Sequence, residues 1–269
     1  MSNILDKAKS YFETHKEIYG DYLYLEKDAA SGDSPLLTQY TAQKLTSAVK
    51  EIVKPYTKTN IEDNITSPDL FTETPKWQEA KTLVEFNNEI CNCLACPLGH
   101  TRKNFVFGVG NPDADIMVIG EAPGADEDDK GEPFVGRAGQ LLTKILEAIN
   151  FRREDVYICN IIKCRPPENR RPTAEEVNHC EPYLMKQVEL IKPAFILSLG
   201  LTAVDTLLKT KNKMGEMRGK VLDYQGTKML VTYHPAALLR NPNWKPLVWE
   251  DVKLLRRLYD EYKKNNITK

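Results

Sequence analysis

The sequence predicts an α/β fold, with a parallel sheet covered by helices on both faces and an α-helical extension in front of it. Three observations carry this reading. Four short runs, DIMVIG (115–120), VYICNII (156–162), AFILSLG (194–200) and KMLVTY (228–233), are apolar throughout rather than alternating, as strands buried on both faces are. Helical stretches lie between these runs, and a strand–helix–strand rhythm makes neighbouring strands parallel. The pattern also begins only at about residue 85; the chain before it reads differently.

Residues 1–85 hold two helical patterns, ILDKAKSYFETHKEIYGDYLYLEK and LTQYTAQKLTSAVKEIVKPY, around a polar ASGDSP break. TKTNIEDNITSPDLFTETPKW follows as a polar, turn-rich linker. No repeat and no catalytic signature occurs there, so this part reads as an accessory segment. Residues 86–262 form the α/β domain and 263–269 a short tail. Within the domain, AGQLLTKILEAI, TAEEVNHCEPYLMKQVELI and TAVDTLLK are the intervening helices. Thr173 and Glu176 have the spacing of a capping box at the start of the second. PLVWEDVKLLRRLYDEYKK closes the domain as the last helix.

Composition is that of a soluble protein, 41% hydrophobic and 28% charged. No apolar run approaches the ~18 residues of a membrane helix, and MSNILDKAKSYFE lacks a signal-peptide core. A cytoplasmic protein with no membrane partner is expected. The net charge of −1 conceals a division. Residues 1–90 carry 10 Lys and Arg against 15 Asp and Glu (−5), and residues 91–269 carry 27 against 23 (+4). An anionic ligand such as nucleic acid would meet the second part, although chance segregation explains the charges equally well.

Ligands of open parallel sheets bind beyond the carboxyl ends of the strands. Four segments fall there: GEAPG (120–124), Asn160-Ile-Ile-Lys-Cys, Gly200-Leu-Thr and His234-Pro. The first opens the stretch GEAPGADEDDKGEPFVGRAG (120–139). Its glycines allow close approach of backbone amides, and Phe134 offers a stacking platform; the competing account is a solvated acidic loop with Phe134 plugged into the core. The Asn160 amide, one acceptor and two donors, suits a base edge, or belongs to a satisfied turn. Pro235 stiffens the turn after His234, and Leu238 and Leu239 are apolar residues in an expected loop.

Six cysteines in a chain without an export signal argue against a disulfide scaffold. Cys93 and Cys96 form a CxxC pair, and Cys164 and Cys180 supply two further thiolates. Four Cys suit tetrahedral zinc or an iron–sulfur cluster equally. Cys159, inside a strand, reads as a small core residue; Cys91 fits either role.

GEAPG with PFVGRAGQLL, NIIKCRPPENRRPT, the two Cys pairs and HPAALLRNP together resemble the family 4, iron–sulfur uracil-DNA glycosylases, over roughly residues 88–260 in consistent order. The resemblance implies a three-layer α/β/α sandwich with a four-stranded parallel sheet. It implies that Cys93, Cys96, Cys164 and Cys180 bind a structural [4Fe–4S] cluster. It further implies that uracil is flipped out of DNA and its N-glycosidic bond hydrolysed. Gly120 and Ala122 of the GEAPG turn would wrap the pocket, Phe134 would stack on the base and Asn160 would pair with its edge. His234 would bond O2 of the leaving uracil. Glu121 and Glu127 would oppose the cationic sugar and position water, with Asn169 a partner of Glu127; Ala122 stands where better-known relatives carry an aspartate. Leu238 resembles the wedge that fills the vacated base position. Arg240, Lys163, Arg165, Arg170 and Arg171 would contact phosphates. Asp126, Asp128 and Asp129 are expected to be solvated.

The expected partner is uracil-containing DNA, single- or double-stranded, met by a nucleoid-associated monomer, with residues 1–85 available to a repair or replication partner. RPPENRRPT has neither the basic insert nor the histidine of a relative that cross-links to DNA, so turnover is expected. The alternatives are a non-catalytic DNA-binding module of the same fold, a glycosylase broadened to other deaminated bases, and a redox protein. The last lacks any flavin or nicotinamide fingerprint.

Overall fold

The computed structural model describes residues 75–267. The two N-terminal helical patterns and nearly all of the linker lie outside the described residues.

The first helices are short: α1 (Lys76–Glu79), α2 (Leu83–Ile90) and α3 (Leu98–Thr101). Trp77 and Phe86 from the first two pack edge-on against Tyr183, so residues just before 86 join the packing of the domain. Next come β1 (Val109–Gly110), β2 (Ile116–Gly120), α4 (Ala125–Lys130), α5 (Arg137–Glu147), β3 (Tyr157–Asn160) and α6 (Ala174–Ile191). The chain continues through β4 (Phe195–Leu199), α7 (Leu201–Leu208), α8 (Met214–Met217), β5 (Leu222–Tyr224) and β6 (Thr227–Thr232). It ends with α9 (Pro235–Arg240) and α10 (Lys245–Ile267), whose last residues extend into the expected tail.

The strands form one sheet of order β1-β3-β2-β4-β6-β5. β3, β2, β4 and β6 are mutually parallel and are the four strands expected from the sequence. An antiparallel strand extends each edge: β1 on β3 and β5 on β6. The sheet therefore has six strands around a four-stranded parallel core.

Alternation along the strands sorts the core into two layers. Met117 and Ile119 face a cluster with Leu184 of α6 and Ala203 and Val204 of α7. Ile116 and Val118 face the opposite cluster, with Leu142 and Leu146 of α5 and Val248, Val252 and Leu255 of α10. Helices thus cover both faces, as the continuous apolar strands require. The capping box at the start of α6 is present, Thr173 Oγ1 accepting from Glu176 N–H and the Glu176 carboxylate accepting from Thr173 N–H. No helix among the described residues is long and apolar enough to cross a membrane.

Candidate active site

The four strand ends named from the sequence come together. β2 ends on Gly120, and a Cβ there would stand 2.4 Å from Asn160 Oδ1 and 2.5 Å from Phe134 Cζ. Only the absence of a side chain lets the Asn160 amide and the Phe134 ring meet above this residue. Gly200 follows β4 with φ +90°, and its Cβ would lie 3.2 Å from that of His234. The Phe134 and His234 rings are 5.5 Å apart and tilted by 33°. Phe134 itself has φ 55°, a conformation that costs a non-glycine residue free energy and that surrounding structure must enforce. Gly139 of α5 leaves room for the Phe134 carbonyl, and Arg153 donates to the Pro133 carbonyl from behind, at 2.9 Å. Phe134 is 6% exposed and belongs to the core layer under α5, so it plugs the core and its ring edge borders the site.

Asn160 is 1% exposed, and its Oδ1 has no hydrogen-bond partner. A buried, unpaired acceptor is costly, so this oxygen marks a place where a donor is missing. His234 caps α9, its Nδ1 accepting from Ala236 N–H at 3.2 Å. That bond fixes the tautomer: the proton sits on Nε2, which is left to donate. Burial, aided by the nearby Arg240 charge, lowers the His234 pKa to about 4, so the ring is neutral at physiological pH.

The acidic loop is built around Glu127. Its Oε2 accepts from Gly124 N–H at 3.0 Å, and its Oε1 accepts from Val135 and Gly136 N–H, both at 2.9 Å. One carboxylate thus clamps the GEAPG turn to the PFVG turn, and so sets Phe134 against Gly120. Glu121, the second residue of the GEAPG turn, is half-buried, and its carboxylate accepts no hydrogen bond among the described residues.

The four cysteines singled out from the sequence are neighbours. Cys164 feels the charge of Cys96 and Cys93, and Cys180 that of Cys164 and Cys93. Burial pushes their thiols up, to about 11 for Cys164 and about 12 for Cys180. Donors nonetheless point at the sulfurs: Ala95 N–H at Cys93 (3.4 Å), Tyr183 O–H at Cys93 (3.3 Å), Arg102 at Cys164 (3.4 Å) and Lys163 N–H at Cys180 (3.3 Å). Arg102 also holds the Cys91 and Cys93 carbonyls. Such N–H···S bonds suit thiolate ligands of a metal centre. No group of three or more His, Cys, Asp or Glu side chains among the described residues is gathered tightly enough to hold a metal ion as it stands.

The profile of the Uracil DNA glycosylase superfamily matches residues 107–253. A type-4 uracil-DNA glycosylase of Pyrobaculum aerophilum is 46% identical over 170 residues, which are 60% of this chain and 86% of the relative. The chain belongs to the type-4 uracil-DNA glycosylases. A second member, from Archaeoglobus fulgidus, is 44% identical over 186 residues (66% of this chain, 94% of the relative). A third, from Thermotoga maritima, is 46% identical over 176 residues (64% and 92%).

Against the type-4 motifs, the structure corrects several expectations. Lys163 is no phosphate contact: it is 0% exposed, with Nζ donating to the Asn160 carbonyl and Gln187 Oε1. Leu238 is no free wedge. HPAALLRNP is helix α9 rather than a loop, and Leu238 (1% exposed) lies on its buried face with Pro235; Leu239 is the exposed one, at 41%. Asn169 does not reach Glu127, its Oδ1 accepting instead from Arg165 Nε at 2.8 Å. Arg170 forks onto Glu176 and braces the start of α6. Asp128 is buried, accepting from Lys103 and Asn104 N–H, whereas Asp126 and Asp129 are exposed as expected, Asp126 against Gly136 and Asp129 paired with Lys103. Arg171 and Arg240 remain exposed, and Ala122 lines the turn as a half-buried apolar residue. Cys159 is a core residue.

Proposed function

We propose that this protein is a DNA N-glycosylase that binds uracil flipped from DNA between Gly120, Phe134 and Asn160 and hydrolyses its glycosidic bond. The unpaired, buried Oδ1 of Asn160 carries the reading. Uracil N3–H is the donor it lacks, and Nδ2 donates to O4. Cytosine presents an acceptor at N3 and donors at N4, so both contacts would be left unpaired.

Departure of uracil places negative charge on O2 and positive charge on the sugar. Neutral His234 donates from Nε2 to O2, a stabilisation aimed at charge that develops during the reaction. The Glu121 carboxylate, unclaimed by other hydrogen bonds among the described residues, opposes the sugar cation. Glu127 shapes the loop, its oxygens already engaged by three amides. Arg165, Arg171 and Arg240 meet phosphates, and Leu239 is the apolar side chain available to fill the vacated stack.

The donor set of Cys93, Cys96, Cys164 and Cys180, with its N–H···S bonds, fits the [4Fe–4S] cluster expected from the sequence. Such a cluster contributes folding energy and orders the loops that carry its ligands. Residues 86–262 act as the catalytic unit, as a monomer near DNA, and residues 1–85 serve contacts outside the reaction.

The test uses anaerobically purified protein, oligonucleotides with one uracil and alkaline cleavage of abasic sites. Asn160→Ala and His234→Ala should each lower the excision rate by about 10²–10³ without changing the visible spectrum. Uracil left intact by a fully coloured wild-type protein that still binds the oligonucleotide would remove the glycosylase reading.

A further inference from the structure

Lys163 touches both the pocket and the cysteine site. Its backbone N–H donates to Cys180 Sγ at 3.3 Å. Its ammonium donates to the Asn160 carbonyl at 2.7 Å and to Gln187 Oε1 at 2.6 Å. Cys180 and Gln187 lie seven residues apart on α6, on one face of the helix, so both are presented to Lys163. Gln187 is itself fully engaged, its Nε2 donating to the Phe107 carbonyl and to Tyr157 Oη.

A fully buried lysine facing neutral acceptors, with no carboxylate paired to it among the described residues, is an expensive way to fill space. Packing alone would be served better by Met or Leu. What the ammonium holds is the last peptide of β3. The Asn160 side chain has no protein partner for Oδ1, so its direction depends on its backbone, and Lys163 grips that backbone.

We propose that Lys163 is a positioning residue: it fixes the Asn160 peptide, and with it the amide that reads uracil, and ties that peptide to Cys180. Order at the cysteine site is thereby passed to the base pocket. This rests on the glycosylase reading and deepens it, since it makes uracil affinity depend on a residue that never touches uracil.

The experiment compares full-length wild type, Lys163→Met, Gln187→Met and Asn160→Ala. For each, visible absorption per chain, thermal midpoint, inhibition by free uracil, and kcat and KM on a single-stranded uracil oligonucleotide are measured. Lys163→Met should keep its colour, lose about tenfold in uracil affinity and in kcat, and hold KM for DNA within about twofold. Gln187→Met should move in the same direction by less. Wild-type uracil inhibition by coloured Lys163→Met would overturn the proposal, as would loss of colour with uracil affinity unchanged. Should Lys163→Met fail to fold, Gln187→Met decides, and wild-type uracil affinity there overturns it. A coloured wild type that neither binds uracil nor excises it would instead sink the glycosylase reading, and this inference with it.

Discussion

At Gly120 a single methyl group would occupy the space where the Asn160 amide and the Phe134 ring meet, 2.4 and 2.5 Å from them. Phe134 cannot retreat easily, because its backbone is held at φ 55° between Gly139 and the Glu127 clamp. Gly120→Ala should therefore displace the Asn160 amide, at an overpacking cost of about 1–3 kcal/mol. We expect uracil excision to fall at least about 100-fold while the protein stays folded. Gly215→Ala is the control, since its Cβ would meet nothing within 4 Å. Steady-state excision by both variants, beside their denaturation curves, checks this; a fully active Gly120→Ala would mean that uracil is not read at this spot.

Among the elements, helix α6 borders both the cysteine site and the Lys163 side chain beneath Asn160. It supplies Cys180 and Gln187, and its first turn is held by the Thr173–Glu176 capping box with the Arg170 fork added. Glu176→Ala removes the return bond to Thr173 N–H and strands Arg170, so we expect a loss of about 1–2 kcal/mol and less iron retained per chain in dilute chelator. Chelator resistance equal to wild type would show that the cap does not support the cysteine site. The box was legible in the sequence because it is local. So were the four core strands, whose unbroken apolar runs state that both faces are covered. The edge strands were not: Val109–Gly110 has two residues, and Leu222–Tyr224 has three before a tight turn at Gln225 and Gly226, both at positive φ. Burial of Lys163 was illegible for another reason, as its partner Gln187 is 24 residues away and only folding joins them. Leu238 and Leu239 differ by one position, and only the helical phase of α9 says which is buried.

On the scale of the whole molecule, the neutral His234 ties global stability to acidity. Its folded pKa of about 4 lies below the unfolded value of 6.5. As pH falls through 6.5 the unfolded chain takes up a proton that the folded protein refuses, so the associated stability is complete above 6.5 and is lost progressively down to 4. The loss between pH 7 and 4.5 amounts to at most about 3 kcal/mol. Other acid-sensitive groups, among them Glu176 with Arg170 beside it and the buried Asp251, are common to wild type and His234→Asn and cancel in the comparison. The difference in unfolding free energy between the two proteins should thus narrow on acidification, with wild type losing more. Parallel stability curves from pH 7 to 4.5 would show that the ring takes up its proton as readily in the folded state as in the unfolded one. Excision by wild type should meanwhile stay level from pH 8 to about 5 as far as His234 governs it, because a ring neutral over that range keeps its Nε2 proton ready to donate.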